Sequence, residues 1–257
     1  MLTIDKLSKS FNTGTENEVK VFKDFNLHIN KNECTAILGA NGCGKSTLFN
    51  IISGVTTAEG GEITINGRKI NNLKENERAQ FIGRVHQDPS KGVSPSLTIL
   101  ENISLSDKKC KKFTLRRLIN KNRIENYKEI LKTLDLGLEN KLDTEVKYLS
   151  GGQRQSLSLL MATIIKPELL LLDEHTAALD PKTSRLIMEK TRELIQTQAI
   201  TTMMISHNVN DAIKFSDRII MLDRGSVVLD VRNGQITEKE LMEIYNSRNY
   251  SPFAKAV

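Results

Sequence analysis

The sequence has few cysteines, no long apolar run and no internal repeat, and each absence removes a class of protein. The cysteines are Cys34, Cys43 and Cys110. An odd, sparse set cannot form a disulfide framework, and the spacing fits no zinc pattern; reduced thiols are expected. No stretch approaches the ~18–20 apolar residues that span a bilayer as a helix. The first six residues, MLTIDK, carry no apolar secretory segment. The expectation is therefore a chain that stays in the cytoplasm and reaches a membrane only through a partner. Without a long-period repeat it is a single unit rather than a tandem one. Because the sequence stops at Val257, no appended regulatory domain is expected.

What is present is ordinary in bulk and uneven in detail. A chain of 257 residues, 39% hydrophobic and 26% charged, can bury one large core, or a core with a smaller lobe. The net charge is +6, but residues 108–123 (KKCKKFTLRRLINKNR) hold eight basic side chains and no acidic one; elsewhere 29 basic residues face 31 acidic ones, a balance of −2. This cluster has three readings: a solvated loop, a contact with anionic lipid headgroups, or a nucleic-acid contact. No nucleic-acid-binding motif accompanies it, so no specific nucleic-acid partner is expected.

Apolar alternation or short apolar runs predict strands at Leu2 to Leu7, Phe25 to Ile29, Cys34 to Leu38, Glu168 to Asp173 and Ile200 to Ser206, and a strand with its turn at Glu62 to Gly67. Residues 218–222 and 226–229 flank Asp223-Arg224-Gly225 and predict a hairpin. Ile124 to Leu134 has helical periodicity, with Ile124, Tyr127, Ile130, Leu131 and Leu134 on one face. Thr237 and Glu240 have the spacing of a capping box opening a last helix.

Residues 39–46, GANGCGKS, fit the phosphate-loop pattern G-x-x-x-x-G-K-[ST] between an apolar strand and a helix. Gly39, Gly42 and Gly44 let backbone amides of Ala40, Asn41 and Cys43 approach phosphate oxygens, and the helix beginning at Lys45, Ser46 and Thr47 adds its positive end. Lys45 is expected to reach the β- and γ-oxygens, and Ser46 to ligate Mg²⁺. Cys43 lies near that positive end, where a thiolate is favoured; alkylation there is expected to inactivate the protein, with ATP protecting.

Residues 149–153, LSGGQ, are followed by an apolar helix and then by LLLLDE at 169–174. This combination resembles the nucleotide-binding subunit of ATP-binding cassette (ABC) transporters. The resemblance implies an α/β fold: a P-loop NTPase (RecA-like) core with an antiparallel β-subdomain, over 1–87 and 159–233, an inserted α-helical subdomain at 88–158, and a C-terminal helical tail at 234–257. It implies ATP and Mg²⁺ as ligands, with hydrolysis by Glu174 acting on a water, His207 as the switch histidine on the γ-phosphate, and Asp173 orienting a metal-bound water. Gln87, after Gly83-Arg84-Val85-His86, matches the glutamine that joins core to helical lobe and reaches Mg²⁺ and the water. Phe11 matches the aromatic that stacks on adenine. Ser150, Gly151, Gly152 and Gln153 would cap the γ-phosphate held by a second copy, with Asp180, in Ala177 to Asp180, beside the opposing site.

Implied partners are a second copy or close homologue, an integral membrane permease, and an extracellular substrate-binding lipoprotein. The implied location is the cytoplasmic face of the cell membrane. His175-Thr176 after Glu174, the helix sequence QRQSLSLLMAT at 153–163 and the basic insertion resemble the tryptophan/tyrosine-type ABC importers. An ABC exporter, or a soluble ABC ATPase of translation or DNA repair, is the alternative; an unrelated P-loop kinase or GTPase lacks LSGGQ and Gln87.

Overall fold

The computed structural model describes residues 1–109 and 118–249; Cys110, the middle of the basic cluster and the last eight residues of the expected tail lie outside them. In chain order the strands are β1 (Leu2–Phe11), β2 (Val19–Ile29), β3 (Cys34–Gly39), β4 (Gly60–Ile65), β5 (Arg68–Lys69), β6 (Ile82–Val85), β7 (Leu169–Asp173), β8 (Thr201–Ile205), β9 (Arg218–Asp223) and β10 (Ser226–Arg232). The α-helices are α1 (Lys45–Ser53), α2 (Glu75–Arg78), α3 (Ile99–Asp107), α4 (Ile124–Lys132), α5 (Gly151–Thr163), α6 (Pro181–Gln198), α7 (Val209–Phe215) and α8 (Glu238–Asn249). They form two compact units, Met1–Ala79 with Ala199–Val257, and Gln80–Gln198. These are boundaries of packing, and they fall at other positions than the expected division at 87/88, 158/159 and 233/234.

The first unit holds an antiparallel sheet in the order β2-β1-β4-β5. Leu2, Ile4 and Leu7 are its buried positions on β1. Strict alternation would bury Lys6. The register shifts between Ile4 and Leu7, and Lys6 takes a left-handed φ of 48°. That bulge moves the pattern by one residue and returns Leu7 to the core side. Strand β3 pairs in parallel with β8 on one side and β9 on the other, and β10 closes the edge as a hairpin with β9. All six residues of β3 are buried, as expected for a strand with neighbours on both edges and covered faces. Arg78 of α2 is buried and donates to the carbonyls of Ile51 at 2.6 Å, Ile52 at 3.1 Å, Asn71 at 3.0 Å and Leu73 at 2.9 Å. It thereby caps the C-terminal end of α1, where a cation complements the helix dipole. The Thr237–Glu240 capping box forms in both directions, at 2.9 and 3.3 Å, and opens α8.

In the second unit β6 and β7 pair in parallel, Ile82 with Leu169 through Val85 with Leu172. A core of Ile99, Ile103, Tyr127, Leu131, Leu134, Leu138, Val146, Leu157 and Leu160 joins α3, α4 and α5. The periodic face predicted from Ile124 onward is seen here: Tyr127 and Leu131 are buried on α4, and Leu134 is buried just past its end. Thr98 and Glu101 cap α3 reciprocally. Asp107, at the end of α3, accepts from Tyr127 at 3.1 Å and pairs with Arg123 at 2.8 Å, tying together the two ends of the basic insertion.

Candidate nucleotide site

The glycine loop leaves β3 at a φ of 146° at Gly39, and a Cβ there would overlap the carbonyl oxygen of Leu222. At Gly44, φ is 110° and a Cβ would lie 2.8 Å from the Phe22 ring. Both positions require glycine for conformation and for space. Gly44 caps α1 without a side-chain hydrogen bond, and the first turn of α1 has no acidic residue. Lys45 is buried and its Nζ donates to Gly39 O at 2.6 Å and Ala40 O at 3.0 Å. Ser46, Asn41 and Gly42 are exposed, and Ala40 and Thr47 half-buried. The result is a buried ammonium and an uncapped positive helix end, which suit an anion.

Cys43 corrects an expectation. Its thiol is buried, with Lys45 Nζ 3.9 Å from the sulfur. Burial pushes the thiol pKa up, and the opposing pull of Lys45 is the smaller effect. The helix-end field does not win against desolvation, so Cys43 is not an activated thiol. Phe11 ends β1 and is 40% exposed, with Lys9 Nζ 5.0 Å above its ring. It is not a core residue.

Strands β3 and β8 run in parallel with Ile37 opposite Ile205. The phosphate loop and His207, which is exposed, therefore leave neighbouring strands at the same end. The second unit repeats this arrangement. With Val85 opposite Leu172, Gln87, Asp173 and Glu174 follow the C-terminal ends of β6 and β7. Ligands of parallel sheets bind beyond such ends. Gln87 is exposed, and Glu174 takes a left-handed φ of 47° in a turn whose Ala177 N–H donates to Glu174 O at 3.0 Å.

Asp173 accepts from Arg84 Nη2 at 3.0 Å, with both side chains largely buried. Sequence reasoning gave Arg84 no role. The signal was available, because a lone arginine within a buried parallel strand needs a partner. His175 is 2% exposed, with Nε2 3.2 Å from Thr191 Oγ1 on α6. That hydroxyl donates to Ile187 O at 2.7 Å, so it accepts from His175 and the proton sits on Nε2. Burial lowers the His175 pKa to about 4, which keeps the ring neutral at neutral pH. Asp180 caps α6 by accepting from Thr183 N at 3.1 Å. Hydrogen bonds from the Thr183 hydroxyl and amide hold its carboxyl below the usual range.

Helix α5 starts from Ser150. The Ser150 Oγ accepts from Gln153 N at 3.2 Å, and Gln153 Oε1 accepts from Ser150 N at 3.1 Å, a full capping box. Gly151 and Gly152 pack against neighbours: a Cβ would lie 3.3 Å from Leu179 at Gly151 and would overlap Thr183 Cγ2 at Gly152. Among the described residues no group of three or more His, Cys, Asp or Glu could hold a metal ion. In the first unit the exposed Ser46 hydroxyl follows the glycine loop, and in the second the Asp173 carboxylate ends β7. Oxygen donors of these kinds suit Mg²⁺, which keeps its waters and takes its remaining oxygens from substrate phosphates.

A strand, glycine loop and helix with a buried lysine define a P-loop nucleotide-binding protein, and the capped LSGGQ helix narrows that to an ATP-binding cassette. Comparison with known proteins agrees. The ABC transporter family profile matches residues 22–177. The tyrosine transport ATP-binding protein of Clostridioides difficile (strain R20291) is 45% identical over 95% of this chain and 98% of its own length. The phosphonates import ATP-binding protein PhnC 1 of Trichodesmium erythraeum (strain IMS101) is 30% identical over 100% of both chains. A dimeric post-hydrolysis structure of the ATP-binding cassette MJ0796, bound to ADP and Pi, superposes with a TM-score of 0.78 at 31% identity, over 92% of this chain and 100% of that one. The chain belongs to the ABC transporter family of ATP-binding proteins; it has the P-loop α/β fold expected of it and is an ATPase. Among the described residues no helix is long and apolar enough to cross a membrane.

Proposed function

We propose that this chain is the ATP-hydrolysing subunit of an ABC importer for a small solute, with an amino acid as the favoured cargo class. Two copies close head-to-tail around two ATP molecules and drive a separate membrane permease from the cytoplasmic face, with an extracellular substrate-binding lipoprotein delivering the cargo. The observation that carries the reading is the N-terminus of α5. It is a 13-residue helix opened by Ser150, Gly151 and Gly152 and organised by its own capping box. A preset positive helix end is what a γ-phosphate carried by another molecule needs. The cargo class follows the 45% identity to a tyrosine transport protein.

In this reading the amides of residues 39–47 wrap the phosphates, Lys45 neutralises the β- and γ-oxygens, and Phe11 stacks on adenine. Ser46, Gln87 and Asp173 would hold Mg²⁺, directly or through its waters; the ion, when bound, neutralises phosphate charge. Glu174 accepts the proton of the attacking water, a contribution of typically ~10²–10⁴-fold. His207 bonds the γ-phosphate and orients Glu174, and Asp180 lies beside the opposing site. Residues 88–158 act as the helical lobe that passes movement to the permease, residues 1–87 and 159–233 as the catalytic core, and residues 234–257 as a C-terminal tail.

The test is to purify Glu174→Gln from its native membranes with ATP. Recovery of a permease with a substrate-binding lipoprotein is expected. A permease without a binding protein would turn the reading to export, and ribosomal or repair proteins in their place would remove the transporter.

A further inference from the structure

We propose that Gln155 is a positioning residue: it fastens the Gln87 segment to the helix that carries Ser150, so that Gln87 and the signature serine move as one body. This rests on the reading above, in which both residues act on bound nucleotide.

Three approaches join the segment to α5. Gln155 is fully buried, and its Nε2 donates to the carbonyl of His86 at 3.0 Å. Gly92, at the end of a single 3-10 turn over Pro89–Gly92, lies on Ser158 so closely that a Cβ would overlap the Ser158 hydroxyl. Gly83 in β6 faces the Ala162 carbonyl, which a Cβ would meet at 2.7 Å. The helix residues 155, 158 and 162 fall at i, i+3 and i+7, one face of α5. Residues 83–92 therefore lie along that face, and Gln87 sits between the contacts at His86 and Gly92.

Gln87 is exposed, so the direction of its side chain is set by its neighbours. Asp88 closes the following turn by accepting from Ser90 N at 2.9 Å. The nearest fixed point is the His86 carbonyl, one residue away, held by Gln155. Along α5, Gln155 is ~7.5 Å from Ser150 at 1.5 Å per residue. Any displacement that brings Gln87 to the nucleotide carries the Ser150 end with it. Gln155 Oε1 is buried and takes no hydrogen-bond partner. An unbonded buried acceptor costs stability, which an apolar side chain of similar length would avoid; what the amide supplies is its donor to His86.

The experiment compares Gln155→Met, Gln155→Glu, Gly92→Ala and Gln87→Ala in the full chain by steady-state ATPase assay and thermal melting. Methionine keeps the length and removes the donor; glutamate turns an acceptor toward the His86 carbonyl. The expected result is a five- to twentyfold lower kcat for Gln155→Met and a larger loss for Gln155→Glu. KM for ATP stays within twofold, and the melting temperature of Gln155→Met is unchanged or raised. Gly92→Ala should lower kcat in the same direction, and its combination with Gln155→Met should lose less than the product of the two. An unchanged kcat in Gln155→Met, while Gln87→Ala is impaired, would overturn the proposal and leave Gln87 in its role. A kcat loss matched by a fall in melting temperature and a rise in KM would reduce Gln155 to packing and overturn it too. Wild-type turnover in Gln87→Ala would remove the underlying reading and this proposal with it.

Discussion

The chain opens two helices with glycines, and the two openings are built differently. At α1 the glycines are conformational as well as close-packed. Gly39 and Gly44 take φ values of 146° and 110°, the cap residue makes no side-chain hydrogen bond, and a buried lysine is held by the loop's own carbonyls. At α5 the glycines are a matter of space. Gly151 and Gly152 face Leu179 and Thr183, and the end is closed by the Ser150–Gln153 box. An uncapped helix end with an internal cation is made to be completed by a ligand. A capped end is complete on its own and can present its amides to an anion that arrives with another molecule. The same residue type in two motifs thus does two kinds of work.

The strongest way to break this comparison is Gly152→Ala. The new methyl overlaps Thr183 Cγ2, and overpacking typically costs about 1–3 kcal/mol. The α5 end must shift, and ATPase activity should fall at least tenfold with ATP binding to the separated chain retained, as measured by fluorescent-nucleotide titration. Thr183→Ser in the same chain removes the Cγ2 and should restore most of the activity. If it does not, Gly152 is needed for its backbone, as the α1 glycines are.

Arg78→Met probes the other end of α1. It removes donors to four carbonyls around the α1 C-terminus and deprives the buried Ile51 and Ile52 acceptors of the guanidinium. A stability loss of about 2–3 kcal/mol is expected in urea unfolding, with nucleotide affinity lowered because α1 holds the phosphate loop. A change below the measurement error would mean that the helix end is satisfied by other means.

The last effect, one that depends on pH, belongs to His175. Its folded pKa of about 4 lies below the ordinary 6.5. The unfolded chain takes the proton first as pH falls. The stability contribution is therefore complete above 6.5 and is lost progressively toward 4, by about 3 kcal/mol in full. Melting curves of wild type and His175→Asn between pH 7.5 and 4.5 should converge as pH falls. Parallel curves would show that His175 does not titrate in this way.

What was legible in the sequence was local. The glycine loop, the four-leucine strand before Asp173, the Thr237–Glu240 cap and the apolar face from Ile124 are patterns within a few residues, and the structure contains each of them. Pairings across the chain were not legible. Arg84 meets Asp173 across 89 positions and Gln155 meets His86 across 69; no periodicity encodes either. His175 and Thr191 are closer in sequence, yet their contact depends on how the turn after Glu174 folds back on α6. Cys43 was misread for a related reason. Its place at a helix end can be seen in the motif, whereas its burial comes from the surrounding fold, and burial is the larger influence. The bulge at Lys6 was hidden as well, because the spacing from Ile4 to Leu7 resembles imperfect alternation until the register is known.

The central claim is that the α1 loop of one copy and the α5 end of another share one nucleotide. The most direct test is the ATPase activity of a mixture of Lys45→Ala and Ser150→Arg chains. Each alone lacks one half of every site and should be inactive. Together they can form one complete site per pair, from the α1 loop of the Ser150→Arg copy and the α5 end of the Lys45→Ala copy, and activity should return. A mixture as inactive as its components, or full activity in Ser150→Arg alone, would contradict the account.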